Sequence, residues 1–169
     1  MTNFLSIKEA MKKGSGNVAI RGWCHRERGS KKLKFIVLRD STDIIQCVIE
    51  KGAVPEQTWI DANSIHTETS LKIGGEIKID ERAPSGYEIA VKQLKIVGKC
   101  DAFPITKDQS VEFLADNRHL WLRSRKMTAI LKIRSTIFGA IHNYFRNEEF
   151  FEYQSPIFQP TQAEGGSDV

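Results

Sequence analysis

The chain has 169 residues, of which 40% are hydrophobic and 27% charged, with a formal net charge of +4; this is enough to bury one sizeable core and at most two small ones, and it excludes general disorder. The longest unbroken run of strong hydrophobes is Phe35-Ile36-Val37-Leu38, far short of the ~18 apolar residues of a membrane span, and Met1 to Ser6 lacks the basic and apolar blocks of a secretory signal, so a cytoplasmic address is expected. Cys24, Cys47 and Cys100 are odd in number and far apart, which excludes a disulfide framework or CxxC site and predicts reduced, buried thiols.

Ser6-Ile7-Lys8-Glu9 is a capping box and Gly14 stands where a left-handed C-cap is wanted, so residues 6 to 13 read as a short helix. The period then changes to two. Val18, Ile20 and Cys24 share one face of a first strand, with Gly22 between them. After a break at Gly29-Ser30-Lys31-Lys32, Ile36 and Leu38 alternate with Phe35, Val37 and Arg39 in a second strand. A turn at Asp40 to Asp43 leads to a third, with Ile45, Cys47 and Ile49 on one face and Ile44, Gln46 and Val48 on the other. Pro55-Glu56 opens a short helix and loop over 54–66. Leu71/Ile73 and Ile77/Ile79 straddle Gly74-Gly75, which predicts a fourth strand bent at a glycine bulge. Ala83 to Gly86 is a turn, and Tyr87 to Val97 alternates as a fifth strand.

Five short strands with a helix after the third follow the order of an OB-fold barrel, whose outer face and loops bind oligonucleotides. SH3-like barrels also have five strands. Beyond Gly98 a proline-bearing connector, Asp101 to Thr106, gives way to helical spacing, which sets a domain boundary near residue 100. Met127, Ile130, Leu131, Ile137, Phe138, Ile141, Tyr144 and Phe145 define an amphipathic helix of roughly 20 residues. Phe150 to Phe158 is strand-like, with Pro156 marking an edge or a strand end. One helix feeding one strand cannot fill a core, so 125–169 reads as the start of something larger, and the chain is expected to be cut short.

The charge is uneven. Arg21, Arg26, Arg28, Lys31, Lys32, Lys34 and Arg39 face a single acid, Glu27, and six basic residues from Arg118 to Arg134 face none. Such stretches suit a polyanion, because each cation that neutralises a phosphate releases a counterion; the plainer reading is a pair of solvated faces. On strand faces pointing away from the barrel interior, Arg26, Arg28, Phe35 and Gln46 fall where they can meet. A ring stacks on an unstacked base, an amide pairs with a base edge, and arginines hold flanking phosphates. A lone strand phenylalanine more often packs inward, but the same-face neighbours Val37 and Arg39 include a charge. His25, His66, His119 and His142 lack metal-ligand spacing. The glycine pairs at 14–16 and 165–166 lack the partners of a P-loop or dinucleotide site, and no catalytic triad is proposed.

Several strings together resemble class IIb aminoacyl-tRNA synthetases, and within them the asparaginyl enzymes. They are Arg21 to Arg28, Lys34 to Asp40, Ile45 to Val48, the hairpin Ala83 to Glu88, and the connector-like Asp116 to Ser124, whose His119 and Trp121 are similar to asparaginyl rather than aspartyl sequences. The resemblance implies an α+β chain: an OB-fold anticodon-binding domain at 1–100, a hinge at 101–124, and at 125–169 the start of a class II catalytic domain with the first helix and strand of motif 1. It implies anticodon contacts from Arg26, Arg28, Phe35, Gln46 and Glu88, a homodimer interface at Pro156, and a mobile loop whose Glu164 binds the substrate ammonium group. The full-length enzyme would activate asparagine with ATP and Mg2+ and pass it to tRNA(Asn); no membrane or DNA partner, no metal ligand and no catalytic residue is expected in this chain, which has no counterpart of motifs 2 and 3. Two alternatives stay open: an aspartyl-tRNA ligase, perhaps serving both tRNAs, and a stand-alone OB module that binds RNA without chemistry.

Overall fold

The computed structural model describes residues 3–106 and 108–157. The chain divides into two compact units, Met1–Thr106 and Lys107–Val169.

The first unit opens with α1 (Ile7–Lys13). Ser6 accepts the Glu9 amide, Glu9 accepts the Ser6 amide in return, and Gly14 closes the helix at φ 75°. Strands β1 (Gly16–Gly29), β2 (Leu33–Arg39) and β3 (Ile44–Glu50) form a meander. Next come α2 (Glu56–Asn63), β4 (Ser70–Ile79) and β5 (Tyr87–Gly98). The barrel closes in the order β1-β2-β3-β5-β4, with β3 and β5 parallel and every other pair antiparallel. This is the five-stranded OB barrel that the strand order implied. Ile20, Ile36, Leu38, Ile45, Ile49, Leu71, Ile73, Ile77 and Ile89 fill its interior, while Trp59 and Ala62 of α2 and Ile7 and Ala10 of α1 join the same core. Ile79 is not part of it and lies exposed.

Closure rests on β1, which pairs with β4 through Gly16–Trp23 and with β2 through Trp23–Gly29. A bulge between Cys24 and Arg26 separates the halves. Strict alternation from Val18, Ile20 and Cys24 would turn Arg26 and Arg28 inward; the extra residue, His25, turns them out and directs Glu27 inward instead. Glu27 there forms an ion pair with buried Lys34. Two glycines permit close backbone approach: a Cβ on Gly22 would stand 2.3 Å from the Arg39 carbonyl oxygen, and one on Gly75 2.2 Å from that of Ala90. The Gly75 contact lies where the β4–β5 register shifts, so the expected bulge is present.

The turn between β2 and β3 docks the first helix. Ile7 N–H donates to Asp40 Oδ2 (2.7 Å) and Lys8 N–H to Thr42 Oγ1 (3.2 Å), while Thr42 and Asp43 amides donate to Asp40 Oδ1. Burial disfavours the Asp40 carboxylate, but the Ile7, Thr42 and Asp43 amides and the Thr42 hydroxyl outweigh it and hold the group below its ordinary value.

Cys24 and Cys47 are buried, and desolvation pushes the Cys24 thiol up to about 12 and Cys47 further. Cys100 differs from expectation in being only half-buried, because it follows the end of β5 rather than facing the core.

In the second unit the connector is partly helical, with α3 (Val111–Asp116) and α4 (Arg118–Trp121) before α5 (Arg125–Asn147). Ser124 caps α5 by accepting the Met127 amide. The apolar face of α5 is exposed, including Ile130, Ile137, Phe138, Ile141 and Phe145. The strand expected at 150–158 is absent over its described part, 150–157. A strand exists only through a ladder, and this segment instead folds back on the helix end. Glu149 takes φ 61°, Glu149 and Phe150 amides donate to the Arg146 and Phe145 carbonyls, and the Phe145 and Phe150 rings meet edge to face at 5.4 Å. Glu152 then pairs with Arg146 and His142.

Two outcomes follow from these contacts. Gly75→Ala should cost about 1–3 kcal/mol in urea unfolding, as overpacking does, whereas Gly74→Ala, whose Cβ would meet Gln93 at an ordinary 3.6 Å, should stay within about 0.5 kcal/mol. Because the folded Asp40 carboxyl lies below its ordinary value of 3.8, its contribution is complete above that pH and is lost as the pH falls below it; Asp40→Asn should therefore flatten the acid limb of a stability–pH curve.

Candidate nucleic-acid interface

The bulge in β1 and the antiparallel register set two rows of outward residues across the barrel. One runs Arg26, Val37, Gln46, Glu88, Lys78, and the next Arg28, Phe35, Val48, Ala90, Glu76, taking β1, β2, β3, β5 and β4 in turn. Arg26, Arg28, Phe35, Gln46 and Glu88, separated by up to sixty-two positions in the chain, thus occupy one patch.

Phe35 is on the outer face and half-buried, with the Arg28 guanidinium over its ring at 4.9 Å. Its inward neighbours Ile36 and Leu38 fill the core instead. Gln46 and Glu88 are more enclosed than an outward parity suggests, at 5% and 7% exposure. Gln46 Nε2 donates to Glu88 Oε2 (3.2 Å), and Lys78 Nζ pairs with Glu88 Oε1 (2.9 Å). The carboxylate accepts only, so the amide presents nitrogen to Glu88 and keeps its carbonyl oxygen for another donor. The proximity of Glu88 also holds the Lys78 ammonium above its ordinary value.

Lys78 is the member that sequence reading missed. Its signal lies in the hairpin: Asp80 and Gly86 bond across the turn, and two residues further out on each arm stand Lys78 and Glu88, opposite charges at matched distance. Of the basic stretch from Arg21 to Arg39, Lys34 is paired with Glu27 and Arg39 with Glu68 at 3.0 Å, which leaves Arg26 and Arg28 as the exposed cations of this patch.

The surface therefore offers a ring, an oriented amide and two guanidinium groups on a rigid sheet, the components for stacking, base-edge pairing and phosphate contact. Residues 18–97 match the model of the OB-fold nucleic acid binding domain, and residues 110–169 match that of tRNA synthetases class II (D, K and N). The chain belongs to the class II tRNA synthetases.

Among similar proteins, the asparagine–tRNA ligase of Thermoplasma acidophilum is 48% identical over 98% of this chain, and that of Thermus thermophilus is 36% identical over 96%. The chain spans 39% and 38% of their lengths. The asparaginyl-tRNA synthetase of Pyrococcus horikoshii complexed with asparaginyl-adenylate superposes with a TM-score of 0.83 at 32% identity, covering 93% of this chain and 37% of that one. Within this synthetase chain, Pro156 lies exposed in the segment after α5, and Glu164 lies outside the described residues. No helix among the described residues is long and apolar enough to cross a membrane.

Proposed function

We propose that this chain is the N-terminal part of a cytoplasmic asparagine–tRNA ligase and that its barrel selects tRNA(Asn) by the anticodon. The observation that carries the reading is the convergence of Arg26, Arg28, Phe35, Gln46 and Glu88 on one outer face, in a chain similar to two asparagine–tRNA ligases. In the free barrel Arg28 occupies the Phe35 ring. An unstacked base takes its place there, and the displaced guanidinium turns to a neighbouring phosphate. Glu88, fixed by Lys78, orients the Gln46 amide toward a base edge.

The whole enzyme would activate asparagine with ATP and magnesium and transfer it to the tRNA. Since the chain spans only 39% and 38% of the lengths of the two ligases it is similar to, the ligation chemistry would fall to the remainder of the enzyme. Glu164 would bind the ammonium group of the amino acid. The exposed apolar face of α5 and the segment carrying Pro156 would form an isologous homodimer contact, since exposed faces of this kind drive association.

Phe35→Ala should weaken tRNA binding by roughly 1–3 kcal/mol with the folded circular dichroism retained; loss of the folded signal would assign Phe35 to the core and remove the site. Gln46→Ala should relax discrimination among anticodons more than it lowers affinity, and equal weakening for every anticodon counts against readout. In sedimentation at on the order of 10 µM, the chain should run as a dimer and Ile137→Glu as a monomer. A monomeric parent chain would mean that the helix face needs no partner.

A further inference from the structure

The strand that carries Arg26 and Arg28 also carries Arg21, on the half that pairs with β4. Arg21 stands opposite Lys72, and Lys72 opposite Lys95, so three cations lie side by side across β1, β4 and β5. All three lie on the outer face; Arg21 and Lys95 are exposed and Lys72 is half-buried. Like charges directly opposite each other oppose strand pairing, and nothing in the barrel neutralises these. The row on one side is Trp23, Ser70, Gly98, and on the other Ala19, Gly74, Gln93. Neither contains an acid. Glu76, one row further, pairs with Lys92 at 3.4 Å. None of the three cations enters an ion pair among the described residues. Among the described residues, Arg21 and Lys72 share the ring of Phe4, which lies 5.7 Å from the Arg21 guanidinium and 5.5 Å from the Lys72 ammonium. It gathers two of the positive charges without cancelling either.

We propose that the Arg21–Lys72–Lys95 row is a second RNA contact, which grips the sugar–phosphate backbone of the same tRNA outside its anticodon. The proposal rests on the anticodon reading above. Charge complementarity calls for a polyanion. A ribose–phosphate strand needs only a cationic surface of this kind, with no acid in either flanking row to repel it. Continuity argues for the same RNA: Arg21 and Arg28 lie seven residues apart on β1, about 20 Å along a strand. Trp23, 47% exposed, stands on the path between them. Contacts of this type set position and carry no sequence information.

The test measures binding of a tRNA(Asn) transcript, and of the same transcript with its anticodon replaced, to the whole chain at several salt concentrations. Lys72→Gln/Lys95→Gln should lower the slope of log K against log salt by about 2, one for each lost phosphate contact, equally for both transcripts. Lys95→Gln alone, at an exposed position, should lower it by about 1 and guards against a folding defect in the double variant. An unchanged slope in both variants, with Phe35→Ala still weakening binding, would overturn this surface and leave the anticodon reading standing. A lowered slope with no effect of Phe35→Ala would sustain the surface and remove the anticodon reading. No effect of any variant would remove both.

Discussion

Everything on the barrel surface depends on one strand serving two neighbours. β1 gives its first half to β4 and its second to β2, and a single extended segment cannot follow both without bending. The bulge at His25 supplies the bend, and Gly22 beside it lets the β2 backbone come within a distance that any Cβ would forbid. Gly75 plays the corresponding part where β4 meets β5. The bend also decides which side chains face water. One extra residue moves Arg26 and Arg28 from the interior to the outer surface and takes Glu27 the other way, where it meets Lys34. A geometric requirement of closure and the choice of side chains on the outer face thus have the same cause.

The charges of the barrel fall into two kinds. Lys34 with Glu27 and Arg39 with Glu68 are partly or largely withdrawn from water, each with a partner in place, and Glu88 is enclosed while its partner Lys78 stays exposed. Removing one partner from such a pair leaves a desolvated charge, so these residues fix positions more than they add stability. Arg26, Arg28, Arg21 and Lys95 are exposed instead. Arg28 and Arg21 lie against the rings of Phe35 and Phe4 rather than against acids, and the attraction exerted by exposed charges is weakened by salt.

Most of the first unit was legible in the sequence because its determinants are local. The capping box and Gly14 delimit α1, and the period-two alternation of Ile36 and Leu38 against Phe35 and Val37 puts the ring outside the core, as found. The enclosure of Gln46 and Glu88 was not legible. It arises from the parallel pairing of β3 with β5, which joins residues forty-two positions apart and leaves no local trace. The segment after α5 was misread as a strand because Phe150, Phe151 and Tyr153 have strand-forming side chains; the structure uses the first of these rings to seal a helix end. Strand formation there needs a neighbour that the described residues do not provide.

The strand order has a bearing on how the barrel assembles. β1, β2 and β3 are joined by short turns, so their pairings, such as Arg28 with Phe35 and Phe35 with Val48, close small loops. β4 and β5 likewise form a local hairpin, whereas the two other seams join Val18 to Gly75 and Gln46 to Glu88, and each requires a longer stretch of chain to be restrained before its contacts form. On a ribosome, where the N-terminal portion appears first, the surface around Phe35 has its first two strands available early. The seam that encloses Gln46 waits for the last strand. A meander exposed in that interval presents the apolar residues Ile36, Leu38, Ile45 and Ile49 before β4 and β5 can cover them, which makes prompt arrival of the final hairpin a condition for avoiding association of unfinished chains.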